Sequence, residues 1–172
     1  FAMRWEATAG EALPLPEDLP AVGDTTVQFV RTVPEGAYRV LPRVQFRQQL
    51  ETILRRHEGE AGIIYCLSRR EVDELAAALA ADGMRVLPYH AGLDDGTRHR
   101  NQDAFLNEAV DVMVATVAFG MGIDRSDVRF VVHFDVPGSV EAYYQEAGRA
   151  GRDGEPSQCD LFFNFADTKT QE

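Results

Sequence analysis

The sequence predicts an α/β fold, a mainly parallel β-sheet with helices packed on both faces. Three observations carry that expectation. Short, nearly continuous apolar runs recur along the chain, namely GIIYC (62–66), RVLPY (85–89), DVMVAT (111–116), RFVVHF (129–134) and CDLFF (159–163), and such runs suit strands covered on both sides. Segments of helical period lie between most of them. Residues that start and stop helices stand at the junctions, with Ser68 followed by Glu71, Ser139 and Gly83. Strands that alternate with helices of about 10–15 residues need crossover connections, and these produce parallel strands.

Taken in order, residues 1–24 contain Pro14, Pro16 and Pro20 without a sustained period and read as a tail or linker. Residues 25–168 read as one α/β unit, and 169–172 as a short tail. TTVQFVRTV (25–33) sets Val27, Phe29, Arg31 and Val33 on one face of a strand. Residues 43–57 place Val44, Leu50, Ile53 and Leu54 at helical spacing. After GIIYC, the capping box at Ser68 opens a helix with Val72, Leu75, Ala76 and Leu79 inward, and Gly83 ends it. A polar loop follows RVLPY and leads into a helix near 97–107 with Phe105 and Leu106 on its buried side. Ser139 caps a further helix carrying Val140, Tyr143 and Tyr144. Ligands of such sheets collect beyond the carboxyl ends of the strands, so the loops beginning near Ser68, His90, Thr116 and Pro137 are expected on one edge.

Composition narrows the function. With 172 residues, 45% hydrophobic and 26% charged, the chain can enclose one sizeable core. No apolar run approaches the roughly 20 residues of a bilayer span and no secretory signal stands out, so a cytoplasmic setting without a membrane partner is the expectation. Cys66 and Cys159 both lie in apolar runs and read as buried small hydrophobes rather than a disulfide, and no ligand spacing suggests a metal held by this chain. The net charge of −11 argues against binding of nucleic acid by a broad basic surface. It leaves open a narrow track of amides, hydroxyls and a few arginines along one strand.

Two motifs carry the chemistry. In QEAGRAGRDG (145–154), Gln145 lies late in a helix that Gly148 and Gly151 loosen, so Arg149 and Arg152 project from a glycine-shaped turn. The pair reads as solvated arginines that complement a helix dipole, or as guanidiniums that meet the γ-oxygens of a triphosphate. The phosphate cradle GxxxxGK[ST] is absent from the sequence, as is a magnesium-holding acidic pair after an apolar strand. A triphosphate must therefore be held elsewhere, and the arginines read as half of a composite site. In ATVAFGMGID (115–124), Gly120 and Gly122 permit positive φ or a close approach, Thr116 offers a hydroxyl to a phosphate, and Asp124 can accept from a ribose. His90 in YHAGL reads equally as a packed histidine or a phosphate contact, and Gly92 lets its amide come near a nucleic-acid strand. Ser68 serves as an N-cap, and the helix N-terminus it opens also suits a phosphate.

The ordered set GIIYCLSR, YHAGL, ATVAFGMGID, RFVVHFDVP and YYQEAGRAGRDG closely resembles the second RecA-like motor lobe of the RecQ family of superfamily-two DNA helicases. The likeness runs from about Gly62 to Asp153 and, more weakly, to about Asp167. It implies a RecA-like three-layer fold and a 3′ to 5′ ATP-driven DNA-unwinding motor of repair and recombination, in the bacterial nucleoid or the nucleus. By position, Arg149 and Arg152, with Gln145 beside them, resemble the arginines that reach ATP bound on the first lobe. Gly122 and Asp124 fall in the loop linking nucleotide and DNA. Ser68, Arg69, His90, Gly92 and Thr116 fall where the second lobe faces the tracked strand. ATP and Mg2+ are implied to sit mainly on the first lobe, which is the implied partner together with single-stranded DNA and the duplex junction. The isolated chain is expected to be inactive as an ATPase. Two departures stand out. The family's entry into this lobe, an aromatic followed by Asp-Arg-Pro-Asn, is replaced by FVRTVPEGAY (29–38). The first-lobe and accessory-domain motifs are absent. The competing readings are a non-catalytic module that binds single-stranded DNA or a protein, and an RNA-helicase lobe.

Overall fold

The computed structural model describes residues 31–33, 36–120 and 123–164; the expected tails at 1–24 and 169–172, together with Val27, Phe29 and Gly122, lie outside them. The strands are β1 Arg31–Val33, β2 Gly36–Pro42, β3 Ala61–Tyr65, β4 Val86–Tyr89, β5 Val112–Ala115, β6 Val128–His133 and β7 Ser157–Phe163. The helices are α1 Phe46–Arg56, α2 Arg69–Ala81, α3 Asp95–Leu106 and α4 Val140–Ala147. They build one sheet in the order β1-β2-β7-β6-β3-β5-β4, in which β1 is an antiparallel edge strand and every other pair is parallel.

Alternation along the strands divides the core between two faces. Ile64, Val114, Val132 and Phe162 point toward Leu50, Ile53 and Leu54 of α1 and Val72, Ala76 and Leu79 of α2. Ile63, Tyr65, Met113, Val131 and Cys159 point the other way, toward Phe105 of α3 and Ala147 of α4. This is the three-layer RecA-like arrangement the resemblance implies. The sheet also separates the two cysteines, since Cys66 belongs to one core and Cys159 to the other, and both are free and buried. Burial pushes each thiol up to about 12, so neither is a thiolate at neutral pH.

Local chemistry sets the helix ends. At α2, Ser68 Oγ accepts from the Glu71 amide while the Glu71 carboxylate accepts from the Ser68 amide, a complete capping box. The same helix closes with paired bonds from Gly83 N to Ala80 O (3.0 Å) and from Met84 N to Leu79 O (3.1 Å). Gly83 sits at φ +87°, the left-handed position such a closure requires.

Two features differ from expectation. Strand β2 was not anticipated, and Val44 does not lie on the inward face of α1. The chain is still tied to the sheet at Arg43, whose amide bonds Phe163 O at 2.8 Å. The helix therefore starts later, at Phe46, leaving Val44 exposed while Phe46 packs edge-on to Phe134 and Phe162. The register of β2 on β7 pairs Arg39 with Asp160. Their side chains form a fork at 2.6 and 3.0 Å, with the Asp160 side chain fully buried. Gln158 donates to the same carboxylate at 2.5 Å. Loss of one partner strands a buried charge, so Asp160→Ala is expected to lower the unfolding free energy by about 3–5 kcal/mol in urea titrations.

Candidate functional site

Because β6, β3, β5 and β4 are parallel neighbours, their carboxyl ends lie side by side. The ladder runs one residue past the strands, through Phe134 N to Tyr65 O (2.9 Å), Cys66 N to Ala115 O (2.9 Å) and Thr116 N to Tyr89 O (3.1 Å). The loops starting at Ser68, His90, Thr116 and Pro137 therefore leave from one edge, as the sequence predicts.

On that edge, Ser68 Oγ is engaged with Glu71, both accepting from its amide (3.2 Å) and donating to its carboxylate (2.8 Å). Arg69 is exposed and lies over Gly92, where an added Cβ would meet the Arg69 Cδ at 3.0 Å and its Nη1 at 3.2 Å. His90 is only 4% exposed. Its Nδ1 accepts from the Gly92 amide at 3.1 Å, so the proton is on Nε2 and goes to Asp73 Oδ1 at 2.9 Å. His90 thus shapes its loop from within, with both nitrogens engaged. Thr116 begins the loop that joins β5 to β6 and is nearly buried; its carbonyl accepts from Phe119 N at 3.0 Å.

The same loop carries the other cluster. Arg149 is half-buried just beyond α4, with its guanidinium against Gly120 and beside the Tyr65 phenol. Its Nε finds no hydrogen-bond partner among the described residues. Arg152 is half exposed, and Nη1 reaches Ile123 O at 3.5 Å and Asp124 Oδ1 at 3.8 Å. Its Nε also donates to Gly148 O at 3.3 Å, and contacts of these lengths hold the side chain weakly. Asp124 is almost fully exposed, and Gln145 points outward from the last turn of α4. The structure therefore groups Arg149, Arg152 and Asp124 along the far part of the loop, and Thr116, His90, Gly92, Arg69 and Ser68 at the strand ends. Gly120 has φ outside the left-handed region, so of its two anticipated uses only the close approach occurs, and a side chain of this chain makes it.

Several residues that hold the site escape a reading of the sequence. Arg125 is buried, with its fork on Asp127 (2.7 and 3.2 Å) and Nη1 donating to Phe105 O (2.6 Å) and Val110 O (3.1 Å). Its guanidinium also stacks over the Phe105 ring. His133 Nε2 meets Glu146 Oε2 at 2.7 Å in the core, so the acid within QEAGRAGRDG anchors α4 to β6. Tyr65 stacks on His133 and donates to Phe119 O at 3.0 Å; burial raises its phenol above the ordinary value, and Arg149 nearby offsets part of that rise. The signal available in advance was the spacing Asp-Arg-Ser-Asp at 124–127, which reads as a solvated turn until tertiary contacts are known.

A parallel sheet of this order, with arginines lodged against the loop between two central strands, defines a RecA-like helicase lobe. Residues 45–154 match the helicase conserved C-terminal domain. The chain is 51% identical over 134 residues to the RecQ-like DNA helicase BLM of Xenopus laevis, covering 76% of this chain and 10% of that protein. It is 47% identical over 134 residues to the ATP-dependent DNA helicase RecQ of Pasteurella multocida, covering 78% and 21%. Among solved structures it is similar to the RNA helicase Prp28 from Chaetomium thermophilum bound to ADP, at TM-score 0.67 and 26% identity over 80% of this chain and 34% of that one. A DEAD box protein from Methanococcus jannaschii gives TM-score 0.63 at 26% identity, covering 77% and 36%. The chain belongs to the helicase conserved C-terminal domain family and within it is a RecQ-type C-terminal lobe. It spans about a tenth to a fifth of the length of these curated relatives.

The Arg125 clamp has a pH signature. Hydrogen bonding from Arg125 holds the Asp127 carboxyl below its ordinary value, against a smaller opposing effect of burial. A depressed folded-state pKa adds stability that is present above the unfolded value near 3.9 and disappears as pH falls through the folded one. Asp127→Asn is therefore expected to be less stable than the parent at pH 7 and to converge with it as the medium becomes strongly acidic, in thermal unfolding followed across pH. A constant gap down to low pH would remove the assignment.

Proposed function

We propose that this chain is the second motor lobe of a RecQ-like, ATP-dependent 3′ to 5′ DNA helicase, completing a nucleotide site whose phosphate cradle another lobe supplies. The observation that carries the reading is the state of the two arginines. Arg149 Nε has no hydrogen-bond partner among the described residues, and Arg152 is held by long bonds to Gly148 O and Ile123 O and by a 3.8 Å contact with the exposed Asp124, so neither guanidinium is locked in a buried ion pair. Both are free to meet developing charge on a γ-phosphate, where a permanently ionised planar donor is most effective. Gln145 lies outward on the same helix end, and in this reading Asp124 faces the nucleotide.

The carboxyl edge takes one DNA strand. Arg69 and the hydroxyl of Thr116 offer contacts to phosphates, with Ser68, His90 and Gly92, whose amide is bonded to His90, shaping the loops that present them. Such a narrow track is compatible with a net charge of −11. ATP binding draws the lobes together through the arginines, hydrolysis removes that contact, and alternating grip converts closure into translocation along DNA. Sequence identity near one half with DNA helicases, against 26% with the RNA helicase, favours DNA as substrate. The setting we propose is the bacterial nucleoid or the nucleus. Among the described residues no helix is long and apolar enough to cross a membrane.

In the intact two-lobed protein, Arg149→Ala and Arg152→Ala are each expected to reduce DNA-stimulated ATP turnover about tenfold or more with folding preserved by circular dichroism. Full turnover in both variants would remove the assignment. The lobe by itself offers arginines without a cradle, so calorimetry is expected to show at best weak ATP binding; micromolar affinity on the lobe alone contradicts the composite site.

A further inference from the structure

We propose that Tyr65 and Gly120 are positioning residues for Arg149, which together seat its guanidinium before any nucleotide arrives. The proposal rests on the reading of Arg149 as the residue that meets the nucleotide.

Gly120 is not demanded by its own backbone, because its φ lies outside the left-handed region. A side chain there would instead have to displace the guanidinium of Arg149. A Cβ on residue 120 would lie 2.8 Å from Arg149 Nη2 and 3.7 Å from its Cζ. The missing side chain is the space the guanidinium fills.

Tyr65 closes the seat from the sheet side. Its hydroxyl proton is committed to Phe119 O at 3.0 Å, which leaves the oxygen lone pairs as acceptors. The Arg149 guanidinium packs against Gly120, the residue that follows the carbonyl this phenol holds. The phenol thus ties the residue preceding Gly120 and so fixes the surface on which Arg149 rests. The Tyr65 ring is itself located by stacking on His133, at 5.2 Å between centroids and 23° between planes. His133 in turn bonds Glu146, three residues before Arg149. Backbone and guanidinium of Arg149 are therefore referenced to the same pair of central strands. A long side chain normally loses much rotamer freedom when it engages a ligand. Here that loss is incurred in folding, so the donor is preorganised for the transition state.

The experiment uses the intact two-lobed protein carrying Tyr65→Phe or Gly120→Ala, each alone and each combined with Arg149→Ala. The first removes the phenol oxygen and keeps the ring; the second fills the space Nη2 occupies. Each single variant is expected to lower kcat for DNA-stimulated ATP hydrolysis about fivefold, with KM for ATP changed by less than about twofold. Unfolding midpoints are expected to stay within about 3 °C of the parent. In the Arg149→Ala background neither change is expected to lower kcat further, because the side chain they position is gone. A structural role alone would instead give losses that multiply with that of Arg149→Ala, and this result overturns the proposal. Parental kcat in both single variants, with Arg149→Ala impaired, also overturns it. Parental kcat in Arg149→Ala itself rejects the underlying reading of Arg149. If Tyr65→Phe proves unstable, Gly120→Ala decides the outcome.

Discussion

The loop between β5 and β6 holds its shape because a buried guanidinium must be satisfied. Arg125 enters the protein where only its bonds to Asp127 and to the carbonyl oxygens of Phe105 and Val110 can replace water. Several kcal/mol of desolvation are at stake for such a group, so the loop cannot drift without breaking a well-matched set of bonds. The clamp joins the end of α3 to the entry of β6. It fixes the far end of a loop whose near end is tied by the sheet ladder at Thr116.

The proposed nucleotide contacts and one proposed DNA contact are arranged around that loop. Thr116 opens it among the strand ends that we propose grip DNA, and Gly120 and Asp124 lie further along against the two arginines. One short, doubly anchored segment thus borders both proposed sites. In the reading proposed above, a motor needs a link between nucleotide and track, and the described ends of this loop border both.

The central strands and α2 were legible in the sequence because their signals are local. Apolar runs bounded by caps, a Ser-x-x-Glu box and a glycine closing a helix need no distant partner to be recognised. The arginine pair and the glycine loop were legible for the same reason, as short motifs with a chemical purpose. Strand β2 was not, since Arg39 interrupts its pattern and Gly36 and Pro42 bound it like a turn. Its reason for being a strand is Asp160, 121 residues away. Glu146 carries no local sign of burial, yet it is buried against His133.

By itself the sequence determined the fold class, the order of the central elements, and the residue types that can meet phosphate and DNA. These follow from side-chain period, capping chemistry and motif spacing, which act over a few residues. Only the tertiary structure decided that His90 has both nitrogens engaged internally and that Gly120 is small because Arg149 lies against it. It alone placed Arg125 and the Arg39–Asp160 pair in the interior. These are outcomes of desolvation and close packing between segments distant in the chain, and a charged or small residue carries no local mark of which partner will bury it.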